Sequence, residues 1–265
     1  MKNGFQVILA ALAALGLSWC GFVLAPVLQL GAQKQAMVLN SSALYPLGRP
    51  GEANQGLQVY RANGCAACHT EQVQQDGMAC DVVLTSPGSN PVAVSNLVSA
   101  LNLSDLTKDD ADAAADQISA AGGKSETHVI ATGVDIARGW GFRRSVAADF
   151  LYDDPVQPGS LRAGPDLSNI AIRDPDLNWQ LVHLYAPQSL VKGSAMPPFR
   201  YLFEVRKIGG AMSPDALQFS KGFEPPAGYE VVPKPQAKEL AAYLLSLRAD
   251  VPLYEAPFTP PLAKP

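Results

Sequence analysis

The sequence predicts a mainly α-helical protein in which one N-terminal transmembrane helix precedes a helical domain with loop insertions. Two kinds of observation predict this class. An apolar run extends from Phe5 to Leu30. Amphipathic segments with helical spacing begin near Glu52 and at Pro235, close to the two ends of the remaining chain. Between these segments Gly and Pro interrupt the sequence often, which is typical of loops.

The apolar run is long enough to span a bilayer, since crossing the hydrocarbon core takes about 20 residues. A cleaved signal peptide is the alternative, because Lys2 precedes a stretch rich in Ala and Leu. The run is longer than a usual signal core, however. Near its end, around Pro26, it has no small-x-small cleavage motif. We therefore interpret residues 1–32 as a transmembrane anchor.

The two amphipathic segments are expected to be the first and last helices of one domain. The first should run from about residue 52 to 62, and Gly64 can end it. The second begins with Pro235, which is tolerated in a first helical turn. We expect the two helices to cross and to pack through aromatic contacts near Tyr60 and Tyr243.

These elements divide the chain into four parts. The anchor is followed by a linker over residues 33–51, a domain over residues 52–250 and a proline-rich tail over residues 251–265. The tail should be extended or disordered. Within the domain, residues from about 80 to 136 are interpreted as an insertion.

The stretches between the first and last helices are expected to be irregular, with few helices. Residues 95–103 could form a short helix or strand, and residues 109–116 an acidic helix. We interpret that acidity as a solvated face rather than a docking patch. One good helix is expected over residues 176–185, within a loop-rich stretch from 140 to 206, and a second loop region covers residues 209–233.

Composition excludes one class of function and points to a cofactor. The 265-residue chain has a formal net charge of -4 and shows no basic stripe, which argues against nucleic-acid binding. Its four cysteines are not placed like a disulfide framework. Cys20 lies in the apolar run, Cys80 stands alone, and Cys65 and Cys68 form a close pair directly before a histidine.

The sequence Cys65-Ala-Ala-Cys68-His69 is a signature of covalent haem attachment. Two thiols at this spacing can add to the two vinyl groups of one haem, and His69 then lies beneath the iron as an axial ligand. A zinc or redox site is the alternative, but zinc would need two further clustered ligands. One motif predicts one covalent haem c, a class I cytochrome c domain and, because bacteria attach haem c outside the cytoplasm, a periplasmic location.

A second axial ligand is expected from methionine, since His–Met ligation is typical of cytochromes c. Met196 is the preferred candidate because the adjacent Pro197 and Pro198 stiffen its backbone. Met212, in a Gly-rich stretch, is the reserve candidate. A bis-histidine site with His183 is a further alternative, although a hydrogen-bonding structural role is preferred for that residue.

Three side chains are candidates to bind the haem propionates through charge-assisted hydrogen bonds: Arg162, Arg143 and Trp179. Ordinary surface or packing roles remain equally open for each of them. Cys80 is interpreted as a small buried residue or a free thiol and is assigned no function.

Residues 59–69 resemble the start of the mono-haem subunit II (FixO/CcoO-like) of cbb(3)-type cytochrome c oxidases. An ordered series of downstream blocks is similar to the same family: Arg138-Gly139-Trp140-Gly141, Asp149 to Pro155, Gly159 to Leu167, Trp179 with His183-Leu184 and Pro187, and Ser194-Ala195-Met196-Pro197. The chain departs from the family in its long stretch over residues 80–136, in the extended region 209–233 and at Pro158, where the family often has tryptophan.

The resemblance implies roles for individual residues. Cys65 and Cys68 would hold the haem, and His69 and Met196 would ligate the iron. Gly164 and Pro165 would lie against the proximal histidine, with the prolyl carbonyl accepting its ring N–H.

The resemblance also implies a function and partners. The chain would be a non-catalytic electron-transfer subunit in the bacterial inner membrane, spanning the bilayer once. It would take electrons from a di-haem or soluble cytochrome c and pass them to a haem–copper oxidase catalytic subunit. The alternatives are a stand-alone membrane-anchored cytochrome c, the cytochrome subunit of a nitric oxide reductase, and a peroxidase with a five-coordinate haem.

Overall fold

A computed structural model describes residues 4–38, 44–49 and 51–251. Its helices are α1 Gly4–Leu30, α2 Gly51–Ala62, α3 Pro91–Ala100, α4 Lys108–Ala120, α5 Val134–Ala137, α6 Ile170–Arg173, α7 Leu177–Tyr185 and α8 Pro235–Leu244. Its strands are β1 Ala36–Met37, β2 Leu44–Tyr45, β3 Gly77–Ser86, β4 Lys124–Thr132, β5 Phe203–Lys207 and β6 Tyr229–Pro233. Because helices make up only 42% of the described residues and the strands form three antiparallel pairs, the expected mainly α class is not confirmed.

Helix α1 is long and apolar enough to cross a membrane, with a mean hydropathy of 2.3 in its most apolar window and none of that window buried. A π-helical turn over Cys20–Leu24 interrupts it, and Ala25 donates its N–H to the Cys20 carbonyl. Pro26 follows directly and has no N–H to donate. Such local adjustments are how apolar helices accommodate proline.

Helices α2 and α8 cross as expected and form the centre of the main core. The Tyr60 and Tyr243 rings lie 5.1 Å apart, so the predicted aromatic contact is confirmed. Gly56 lies at the crossing, where the helices approach so closely that a Cβ there would be 2.6 Å from the Glu239 carbonyl carbon. Helix α7 and strands β5 and β6 complete this core.

Residues 77–132 form a β-α-α-β unit with a core of its own. Strand β3 pairs antiparallel with β4, from Gly77 opposite Thr132 to Ser86 opposite Lys124. The segment predicted as a short helix or strand is helix α3, and the acidic helix is the longer α4, whose first turn is capped by Thr107. Cys80 is buried in this second core, as expected. The division of the chain at residues 80 and 136 stays a prediction.

The third strand pair corrects the expectation that residues 209–233 are loop throughout. Strand β6 pairs with β5, placing Arg206 opposite Glu230, and these two side chains form an ion pair of 2.8 Å. Two short segments more than twenty residues apart become strands only by pairing, and strand preference depends strongly on such context.

Part of the linker that the structure describes is fixed to the domain. We call residues 44–49 the strap. Strap residue Arg49 pairs with Asp153 at 2.6 Å, with side chains 9% and 3% exposed. The Tyr45 hydroxyl donates to Asp149 at 2.8 Å. The predicted tail lies outside the described residues except for Val251.

Candidate haem site

The haem-attachment motif follows helix α2 through a left-handed residue. Gly64 has φ 68°, which glycine adopts without steric cost, and it ends the helix. Cys65–Ala67 then form a 3₁₀ turn, and His69 donates its backbone N–H to the Cys65 carbonyl at 3.0 Å. The tight turn brings both thiols and the imidazole into one short segment.

Both motif cysteines are free thiols. Burial raises the pKa of the Cys65 thiol to about 12, so this side chain is protonated at neutral pH. Because the two sulfurs are not joined to each other, both could form thioether bonds.

The His69 ring is held by a single backbone acceptor. Its Nδ1 lies 2.8 Å from the Pro165 carbonyl oxygen, the contact that the resemblance implies. A carbonyl can only accept, so Nδ1 carries the proton and Nε2 presents a lone pair. Burial lowers the pKa of His69, which favours this neutral form. This arrangement leaves Nε2 as the ring atom that could ligate a metal.

Gly164 forms a cradle for the same ring. A Cβ at this position would lie 2.7 Å from His69 Nδ1 and 2.9 Å from Nε2, and closer still to Cε1. The Gly164 N–H also donates to the Cys68 carbonyl at 2.9 Å. No side chain larger than hydrogen fits here without moving the histidine.

Met196 is half-buried against the main core, on the same apolar cluster as Cys65. The half-exposed members of that cluster are Val59, Cys65, Ala66, Trp179, Tyr185, Leu190, Met196, Phe199 and Phe219. Met212 is 54% exposed and outside the cluster, which favours Met196 as the sulfur ligand. Ligation by Met196 stays a prediction.

The donor set fits a covalently held haem. Two free thiols, an imidazole with its Nε2 unprotonated, a glycine cradle and a half-exposed apolar cluster with one thioether match what a haem c requires. A structural zinc site would need more ligands, and among the described residues no group of three or more His, Cys, Asp or Glu side chains could hold a metal ion.

Residues 134–239 match the family described as cytochrome c oxidase, mono-heme subunit/FixO. Over these residues the chain is similar to FixO. The match covers Arg162, Gly164, Pro165 and Met196 but begins after the attachment motif, so motif and match are independent observations. A search of curated proteins found no match.

In this FixO-like chain His183 is a packing residue beside the site. Its ring is stacked on Trp179 at 4.8 Å between centroids and 5° between planes. Its Nδ1 is buried without a hydrogen-bond partner in the described part of the chain. Burial, with a smaller effect from the charge of His69, lowers the pKa of His183 to about 4. The stacking supports a structural role for His183, but the expected hydrogen bond at Nδ1 is not found among the described residues.

Two of the candidate propionate partners are bound by other protein groups. Arg162 donates to Asp135, Thr70 and Gln72, at distances from 2.6 to 3.1 Å. Arg143 forms a bidentate pair with Asp149 at 2.7 and 2.9 Å. These bonds support the packing alternative that the sequence left open, and a propionate role for either residue stays a prediction.

Glu71 is a buried carboxyl that sequence reasoning missed. It is 2% exposed, and the Tyr243 hydroxyl lies 2.9 and 2.8 Å from its two oxygens. The Arg49 guanidinium lies over the Tyr243 ring at 5.1 Å. Burial raises the pKa of Glu71 to about 8. Nothing in the local sequence marks this residue, because its burial results from the packing of α8 and the strap.

The raised pKa of Glu71 predicts a pH-dependent stability. Below its ordinary value of 4.5 the group is neutral in both folded and unfolded chains. Between pH 4.5 and about 8 only the unfolded chain loses the proton, so rising pH lowers the free energy of unfolding. At about 1.4 kcal/mol per pKa unit, the loss is on the order of a few kcal/mol.

Glu71→Gln should flatten this slope because glutamine does not titrate. Urea unfolding of the intact chain in detergent at pH 5 and pH 8 measures it. Glu52→Gln, at an exposed position of α2, serves as the matched control and should keep the wild-type slope. Equal slopes for wild type and Glu71→Gln would contradict the prediction.

Proposed function

We propose that this chain is the electron-transfer subunit of a cbb(3)-type haem–copper oxidase. One haem c would be bound covalently through Cys65 and Cys68 and ligated by His69 and Met196. The observation that carries the proposal is the His69–Pro165 contact of 2.8 Å, which joins an attachment motif to a FixO-type segment. The chain itself makes or breaks no substrate bond.

The side chains around the site support one-electron transfer. The haem iron, when bound, supplies the redox chemistry. The Pro165 carbonyl fixes the orientation of His69 and increases its basicity as a ligand. A thioether from Met196 would favour ferrous iron and raise the potential.

We place the domain on the periplasmic side of the bacterial inner membrane. Helix α1 meets the length and hydropathy required of a transmembrane anchor. Covalent haem attachment outside the cytoplasm then sets the orientation of the rest of the chain. A cleaved signal sequence would pass the same test of length and composition, so sequencing the mature N-terminus checks the anchor.

The strap favours a resident subunit over a stand-alone carrier. A free linker over residues 33–51 would reach roughly 60–70 Å at 3.3–3.6 Å per residue. Beyond α1, however, Gln35 already donates to the Pro46 carbonyl at 2.8 Å, and Pro46 is buried. Only residues 31–34 remain as a tether, with a reach of about 14 Å. A short tether suits transfer to a fixed neighbour and limits diffusion between several partners.

Affinity purification of the tagged chain from solubilised membranes tests the proposed function. We expect a haem–copper catalytic subunit and a second cytochrome c subunit to co-purify, and the complex to consume oxygen. Recovery of a haem-containing chain without any haem–copper subunit would favour the carrier. Consumption of nitric oxide in place of oxygen would assign it to a nitric oxide reductase.

Met196→Ala tests the sixth ligand. We expect loss of the low-spin ferric spectrum of the purified chain, because among the described residues Met196 is the one thioether on the cluster that contains Cys65. Met212→Ala is the matched control and should leave the spectrum unchanged, since its side chain is 54% exposed. An unchanged Met196→Ala spectrum would favour a five-coordinate peroxidase site or another ligand.

A further inference from the structure

We propose that Arg162 and the buried carboxylates of Asp135 and Asp166 form a clamp that positions the His69 ligand, acting through the segment after the motif and through Pro165. All three are positioning residues, since none touches the imidazole. The inference rests on the proposed haem function. It assigns Arg162 a bridging role between two carboxylates.

Asp166 anchors the residue whose carbonyl binds His69. Its side chain is fully buried and accepts hydrogen bonds from the Thr70 hydroxyl at 2.5 Å, the Gln72 N–H at 2.8 Å and the Ser168 N–H at 2.9 Å. Pro165 is its direct neighbour in the chain. Three fixed donors around Asp166 therefore restrict where the Pro165 carbonyl can lie.

Arg162 bridges Asp166 to a second buried carboxylate. One of its terminal nitrogens lies 3.7 Å from Asp166. The two terminal nitrogens reach the two Asp135 oxygens at 2.9 and 2.8 Å. The guanidinium also donates to the Gln72 carbonyl at 2.6 Å and to the Thr70 hydroxyl at 3.1 Å.

Asp135 extends the clamp along the segment after His69. Its side chain is 5% exposed and accepts the Gln74 N–H at 2.8 Å. The clamp thus holds alternate residues after His69, namely Thr70, Gln72 and Gln74. Asp135 also lies in the first turn of α5, just beyond β4, so the clamp connects the end of the β-α-α-β unit to the segment after His69.

The burial of the two carboxylates makes the position of the clamp sensitive to the loss of Arg162, whose own side chain is 28% exposed. Removing one partner of a buried charge pair leaves an uncompensated charge, which water or a rearranged backbone must then solvate. The backbone that would rearrange here is that of residues 70–74, which follow His69, and that of Asp166, which follows Pro165. The orientation of the ring, and with it the ligand field at the iron, should respond to a change at Arg162.

Arg162→Met is the decisive variant, and Arg162→Lys keeps the charge without the bidentate fork. Arg206→Met is the matched control. Like Arg162→Met, it leaves a buried carboxylate without its arginine. That carboxylate, Glu230, lies in the β5–β6 pair and not in the clamp. All chains are prepared as the full-length haem-loaded protein in detergent. Ferric electron paramagnetic resonance, the midpoint potential and amide hydrogen exchange of residues 70–74 are measured.

We expect Arg162→Met to shift the low-spin g-values and the potential, and to speed exchange at the Gln72 and Gln74 amides roughly tenfold or more. Arg162→Lys should restore part of the stability but not the wild-type g-values. Arg206→Met should keep both the wild-type spectrum and the exchange rates of residues 70–74.

A destabilised Arg162→Met with wild-type g-values, potential and exchange would overturn the clamp, as would an equal response of Arg206→Met. If Arg162→Met does not fold, Arg162→Lys tests the clamp by the same g-values, midpoint potential and amide exchange. A wild-type chain without covalent haem would instead refute the proposed function. The hydrogen-exchange result would still report whether the clamp holds residues 70–74.

Discussion

Gly164→Ala is expected to disrupt axial ligation by His69 while leaving most of the fold in place. The new methyl group would lie 2.7 Å from Nδ1 and 2.9 Å from Nε2 of the imidazole, and even closer to Cε1. Real Cβ atoms do not approach other heavy atoms this closely, so either the ring or the Gly164 backbone must move. Backbone movement is resisted because the Gly164 N–H is bonded to the Cys68 carbonyl at 2.9 Å.

The displaced ring cannot keep both its bond to Pro165 and the position from which it would ligate the iron. We therefore expect a change from low-spin to high-spin ferric absorption, with a lowered yield of haem-containing protein. Gly209→Ala is the matched control because a Cβ there meets nothing within 4 Å. A Gly164→Ala chain with the wild-type spectrum and yield would show that His69 does not occupy this cradle in the holoprotein.

Gly56→Ala is expected to cause the largest loss of stability among single methyl additions in the helical core. Its Cβ would lie 2.6 Å from the Glu239 carbonyl carbon and 2.7 Å from Tyr243 Cβ. The obstacle is mainly backbone of the facing helix, so no rotamer change can relieve it and the helices must separate. Overpacking typically costs about 1–3 kcal/mol, and we expect the upper end of that range or beyond.

Gly51→Ala gives the corresponding control at the start of the same helix, where a Cβ meets nothing within 4 Å. It should be neutral or slightly stabilising, since alanine has the higher helix propensity. Thermal unfolding of both variants in detergent measures the difference. If the two variants unfold within about 0.5 kcal/mol of each other, the close crossing of α2 and α8 is wrong.

Local sequence was sufficient to predict a motif or a helix where all the residues that specify it lie in one short segment. The attachment motif needs only five consecutive residues. The helix at Pro235 starts where predicted, and the helix expected over residues 176–185 begins one residue later, with Asp176 as its cap. The aromatic contact between Tyr60 and Tyr243 followed from the two helical stripes. In each case hydrophobic periodicity and turn chemistry act within a few residues, so no distant partner is needed to read them.

Strands and buried polar groups could not be predicted in this way. Strands β5 and β6 form only because each provides the other's hydrogen-bond partners across a long loop. Glu71 and Asp135 are ordinary polar residues in the sequence, and they become buried only when distant elements pack over them. The strap was likewise interpreted as a linker, because its prolines indicate irregular backbone but not whether that backbone is fixed to a surface.

The sequence alone thus determined the ligand chemistry: a pair of thiols and an imidazole at haem-attachment spacing, an apolar segment long enough to cross a bilayer, and the blocks that resemble FixO. Tertiary structure alone decided how the imidazole is oriented, which carboxylates are buried around the ligand segment and how short the tether is. The physical reason is the separation in sequence between the residues that produce each feature. Covalent spacing is set by neighbouring residues, whereas burial and hydrogen-bond partners are set by residues that the fold brings together from about a hundred positions away, as with His69 and Pro165.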